Sequence, residues 1–227
     1  MDGNVYHIII CIYLIKFGYD MSHSKYILSG SEVSFISSNI IQEYADFNGA
    51  MEHRHHNLMA YVVDDDSCNS IKAGEANVLH FYPDILDTVD GDLYEMFDSM
   101  QDTFDIFCAL NDNPNTKVDE DYTILDALKC YTTLIIDRLE VYPLYRGQKI
   151  ASDFVINLVR SNFLKHNHLL VLLNVQAYLI DKENFNSDSE FEKARSEEEK
   201  RLIKSYQKLG FIRLSQNSNV MFLTKSE

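Results

Sequence analysis

The stretch that most restricts how this chain can fold is "YTTLIIDRLEVYPLYRGQKIASDF", residues 131 to 154. Its first half is almost continuous β-branched and aliphatic sequence. That predicts a central strand over residues 131–142, covered on both faces and ended by Pro143. A few residues later Phe154, Val155, Leu158 and Phe163 recur at helical spacing and predict a helix over residues 151–164. A strand that stops at a proline and turns directly into a helix aims that helix's N-terminal amides at the adjoining crevice. Those free N–H groups and the helix dipole make an anion site. Gly147 permits close backbone approach, and Arg146 and Lys149 add positive charge. The plainer alternative is a solvated left-handed turn.

The basic turn stands out because the chain around it is acidic. In 227 residues the formal net charge is -15. Nucleic-acid and anionic-membrane surfaces need clustered Lys and Arg, so neither partner is expected. A cationic, amine-bearing partner is favoured electrostatically. The hydrophobic share of 46% is that of a globular protein, and the length suits one domain. We assign residues 21–227 to that domain and residues 1–20 to a hydrophobic extension, either a strand or flexible. Met21 is an alternative start. The apolar run from Ile8 to Ile15 is far short of the ~20 residues that span a bilayer. It also lacks the flanks of a secretory signal. Cys11, Cys68, Cys108 and Cys130 are scattered and form no Cys-x-x-Cys pair. Buried, reduced thiols in a cytoplasmic protein are the expectation.

Along the rest of the chain, residues 24–36 read as a first strand and residues 37–47 as a helix with a serine N-cap. "NLMAYVVDDD" and "IKAGEANVLHFY" read as an antiparallel hairpin, and residues 92–110 as an amphipathic helix. Residues 168–180 read as a second buried strand. A charged stretch then becomes helical, with Leu202, Tyr206 and Leu209 near one face and Gly210 as its cap. Residues 211–224 close the chain as a hairpin. The whole is a mixed α/β chain. "MEHRHHN" gathers His53, His55 and His56, but no acid or thiol completes a metal site, so a solvated loop is expected. "DILDTVDGDLYE" lacks the ligand order of a calcium loop. "DSEFEKARSEEEKR" reads as a solvated helix face.

"LEVYPLYRGQKIA" resembles motif A of the GNAT superfamily of acyl-CoA-dependent N-acyltransferases. There a strand ends in Val-x-Pro and is followed by Arg/Gln-x-x-Gly-x-Gly/Ala. Arg146 and Ala151 match the outer positions, and Lys149 stands where the middle glycine falls. "SYQKLGF", residues 205–211, resembles the family's later Tyr-x-x-x-Gly-Phe. The resemblance implies a central mixed, splayed β-sheet flanked by helices. It implies acetyl-CoA as cosubstrate, its pantetheine arm along Leu139, Glu140 and Val141. The pyrophosphate would lie on amides of Arg146, Gly147, Gln148, Lys149, Ile150 and Ala151. It implies acetyl transfer to a primary amine, with Tyr206 donating a proton to the departing thiolate. The base would be Asp137 acting through water, or Glu140. Alternation puts Asp137, Leu139 and Val141 on one face of the strand and Glu140 on the other, unless a bulge intervenes. A non-catalytic acyl-CoA-binding or interaction module on the same scaffold is the alternative, and homodimerisation stays open.

Overall fold

The computed structural model describes residues 26–28, 31–46, 49–64, 67–86, 93–98, 101–177 and 185–225. The extension assigned to residues 1–20, with Met21 and Cys11, lies outside them. Among the described residues, eight strands form one sheet in the order β1-β2-β3-β4-β5-β6-β8-β7. They are β1 (Tyr26–Leu28), β2 (Ser31–Asp46), β3 (Met51–Asp64), β4 (Ser67–Phe81), β5 (Thr132–Val141), β6 (Leu169–Asn174), β7 (Ile212–Arg213) and β8 (Val220–Lys225). The helices are α1 (Pro83–Leu86), α2 (Leu93–Asp98), α3 (Gln101–Asp112), α4 (Ile124–Cys130), α5 (Ile150–Phe163) and α6 (Asp188–Gln207). All pairings are antiparallel except that of β5 with β6. Parallel neighbours need a crossover, and α5 supplies it. The expected mixed α/β class is present. Among the described residues no helix is long and apolar enough to cross a membrane.

Both faces of the central strands are covered, which is why their sequences are continuous apolar runs. Leu134 and Ile136 join Phe154, Val155 and Leu158 of α5 and Ile203 of α6 in one core. Ile135, Leu170 and Leu172 join Phe97, Ile106, Ile124 and Leu128 from α2, α3 and α4 in the other. Helix α4 was not anticipated. It begins with a capping box in which Thr123 Oγ1 accepts from the Asp126 amide and the Asp126 carboxylate accepts from the Thr123 amide.

Three expectations fail here. Residues 37–47 are not a helix: through Asp46 they belong to β2. Two bulges, between Phe35 and Ser37 and between Ile40 and Gln42, interrupt the two-residue alternation. They bring apolar residues to spacings that mimic a helix. Pairing with β3 along nearly the whole strand outweighs that local pattern, and Ile40 and Ile41 stay exposed. The histidine run is not a solvated loop either. It lies within β3, where His53 and His56 are buried. Strand alternation sends His53 and His55 to one face and His56 to the other, so the three cannot converge on one ion. The cysteine expectation also needs correction, since Cys108 and Cys130 are free but exposed on helices α3 and α4.

Gly74 of β4 sets how closely β4 approaches β5 beside the C-terminal half of the central strand. A Cβ there would lie 2.2 Å from the Glu140 carbonyl oxygen and 3.1 Å from Val141 Cα. Gly74→Ala is expected to push β5 away and to lower unfolding free energy by about 2–3 kcal/mol, measurable by urea denaturation. An unchanged midpoint would mean that the two strands can separate freely.

The buried imidazoles predict acid sensitivity. Burial, then the neighbouring Arg54, lowers His56 to about 4 and His80 to about 3. Arg54 donates from Nη1 to His80 Nε2 at 3.2 Å and is held by Glu43 and Glu52, each at 2.7 Å. Folded-state values below the unfolded ~6.5 mean that their contribution is intact above pH 6.5 and declines as pH falls towards 4. Each ring should contribute a slope of about 1.4 kcal/mol per pH unit. Urea midpoints flat from pH 7 to 4.5 would show that these rings protonate without unfolding.

Candidate functional site

Strands β5 and β6 are paired only from Thr132↔Leu169 to Ile136↔Leu173. Strand β5 then runs on to Val141 against β4, whereas β6 ends at Asn174 against β8. The cause of the parting lies in β5. Its register with β4 jumps from Val78↔Ile136 to Asn77↔Arg138, leaving Asp137 as the extra residue of a bulge. A bulge bends its strand and increases the local twist. Beyond Ile136 the β6-facing edge of β5 therefore pairs with no strand among the described residues. The gap is a cleft of about 310 Å³. Leu139 and Val141 form one wall and residues 173–177 the other, with the basic turn and α5 at one end and α6 alongside.

The turn is organised as an anion receptor. Pro143–Tyr145 form a single 3₁₀ turn, and Arg146 is tied back by its Nε donating to the Val141 carbonyl at 3.1 Å. Gly147 has φ 76° and Lys149 φ 53°, so the backbone alternates in hand through the turn. Such alternation gathers successive N–H groups into a concavity. The first helical bond of α5 runs from Asp153 N to Lys149 O at 2.8 Å. Among the described residues, the amides of residues 147–152 donate to no other group. Among the described residues, the charged groups lining the cleft are Arg146, Lys149, Arg201 and Glu198, three cations against one carboxylate. The basic turn is thus the floor of a locally positive cleft in an acidic protein.

Of the residues singled out in the sequence, Leu139, Val141, Arg146, Gly147, Gln148, Lys149, Ile150, Ala151 and Tyr206 all line this cleft. Tyr206 reaches it from the last turn of α6, buried and packed edge-on against Phe211 at 6.0 Å. Its carbonyl accepts from Leu209 N and Phe211 N, and Gly210 at φ 94° turns the chain out of the helix. Burial pushes the phenol up to about 12, so the hydroxyl keeps its proton at neutral pH and is a donor.

Asp137 and Glu140 do not line the cleft. The bulge resets alternation, so Leu139 and Val141 continue the face of Leu134 and Ile136, with which they share a core. Asp137, as the extra residue, breaks the simple alternation expected between it and Leu139 and Val141. Glu140 faces the other side, accepting from Arg138 Nη2 at 2.6 Å. It lies across from Glu75, which binds Lys72 and accepts from the Tyr142 hydroxyl at 3.0 Å.

Sequence reasoning placed Leu202 on the Tyr206 face but missed Glu198, Arg201 and Ser205 as cleft residues, the first two because they lie in a stretch read as a solvated helix face. The available signal was their spacing, since positions 198, 201, 202 and 205 fall on the Tyr206 side of a 3.6-residue helix. Comparison of the chain with protein-family models, curated proteins and solved structures finds no match. What fold and site define is a mixed α/β protein with a cleft between parted parallel strands, lined by cations and uncommitted amides.

Lys149 is the one described non-glycine residue in the left-handed region. That conformation costs a side-chain-bearing residue about 1–2 kcal/mol, partly offset by glycine's greater unfolded-state entropy. Lys149→Gly should raise stability by about 0.5 kcal/mol and weaken whatever binding wild-type protein shows to added pyrophosphate. Calorimetry on both properties tests this. A variant that is less stable would show that the lysine side chain holds the turn.

Proposed function

We propose that the protein is an acyl-CoA-dependent N-acyltransferase of the GNAT kind, transferring acetyl from acetyl-CoA to a primary amine. The observation that supports this most is the parting of β5 from β6 directly beside uncommitted amides at the start of α5. A diphosphate suits those amides with Arg146 and Lys149. A pantetheine arm suits the unpaired edge of β5 along Leu139–Val141, and Tyr206 stands on the α6 side. The acceptor is a cationic amine, which an acidic chain attracts.

In this reading the residues act mainly by placement. The neutral amine nitrogen attacks the thioester carbonyl carbon, the C–S bond breaks, and the nitrogen loses one proton while the sulfur gains one. Holding both reactants together removes most of the entropic barrier. Burial keeps the Tyr206 phenol protonated at neutral pH, so its hydroxyl is the group placed to donate a proton to the departing thiolate. It gives that proton to the departing sulfur, and the phenolate recovers one from solvent. Asp137, just beyond the last β5–β6 pair, takes the amine proton through water.

Binding of acetyl-CoA by calorimetry, followed by thiol release with polyamines, amino acids and peptides, tests the proposal. Tyr206→Phe should lower kcat about a hundredfold and leave acetyl-CoA affinity nearly unchanged. Indifference to millimolar acetyl-CoA would end the acyl-transfer reading. A specific observation favours a second one: neither expected base lines the cleft. Binding with no turnover across the amine panel would make the protein a non-catalytic acyl-CoA-binding module.

A further inference from the structure

We infer that Glu198 is an internal stand-in for a ligand phosphate, holding Arg201 until a phosphate-bearing ligand takes its place. Resting on the proposed use of the cleft for a polyphosphate thioester, this inference adds Arg201, from α6, to the phosphate-binding cations.

Arg201 donates to Glu198 in the two-pronged manner that guanidinium uses for carboxylates and phosphates alike, with Nε to Oε2 at 2.7 Å and Nη2 to Oε1. An ordinary exposed pair one helical turn apart carries little meaning. This one differs by position, because both partners line the cleft and Glu198 also feels the charge of Arg146 from the turn. Glu198 therefore stands within electrostatic reach of cations from two separate elements. Its neighbour supplies a contrast. Glu199 pairs with Arg195 at 3.1 Å and accepts from Asn219 Nδ2 at 3.2 Å, away from the cleft lining.

The exchange has a direct consequence for ligand choice. A neutral or weakly charged thioester cannot compete with a carboxylate for the Arg201 fork, whereas a phosphate dianion can. Glu198 thus screens incoming ligands for phosphate charge.

The test is a double-mutant cycle, with coenzyme A and inorganic pyrophosphate as probes and unchanged melting curves as the folding control. Glu198→Gln should tighten both ligands about fivefold and steepen the salt dependence of binding. In an Arg201→Gln background the same change should have almost no effect, because no fork remains to be released. Glu199→Gln should be neutral throughout. Unchanged or weaker binding by Glu198→Gln overturns the inference, as does tightening that persists without Arg201, which would indicate general repulsion. Failure of coenzyme A to bind, with pyrophosphate still showing the coupling, would sink the acyl-transfer reading and leave the exchange standing. If neither probe binds any variant, both fall.

Discussion

One extra residue in the central strand sets the geometry on which the rest depends. Asp137 adds a residue to β5 where β4 has none, and the strand bends away from its parallel partner immediately afterwards. The two strands are otherwise held by buried residues on both faces, so separation could not come from weak packing. It comes from the backbone, and Gly74 lets β4 follow β5 closely through the bend. The result is a cleft whose walls are strand edge and strand end, with a helix N-terminus at its floor.

The electrostatics follow from that backbone geometry. Amides that would be covered in a continuing strand or a capped helix are left facing one space, and alternating backbone hand at Gly147 and Lys149 concentrates them. The cations then act over short distances inside a chain whose overall charge is -15. Local charge outweighs net charge because solvent and salt screen the distant carboxylates over about 8 Å. Among the described residues Glu198 is the one carboxylate lining the cleft, and it is already bound to Arg201.

Much of this was legible along the chain, for identifiable reasons. The residues of β5, the turn and α5 are contiguous, so their order and chemistry could be read without knowing the fold. Tyr206 was legible because helical spacing and the following glycine marked its place. The histidine run was misread because its character depends on distant partners: His56 packs edge-on against Phe154 of α5 and His53 is buried on the opposite face of the sheet, and nothing local announces it. Residues 37–47 failed for a related reason, since bulges are created by pairing and erase the alternation that would identify a strand. The side of α6 bearing Glu198 and Arg201 looked like solvated surface because the residues opposite it lie some fifty positions earlier.

The sequence alone determined the order of strand, basic turn and helix, the aliphatic character of the two central strands, and the tyrosine near the end of the last helix. These depend on neighbours in the chain, on proline's fixed geometry and on periodicity. Only the tertiary structure decided which carboxylates face the cleft, that β5 and β6 part after Ile136, and that α6 contributes an arginine to the turn's cations. Those outcomes depend on strand register. A shift of one residue exchanges the two faces of a strand, and register is a property of the pair, which neither strand specifies by itself.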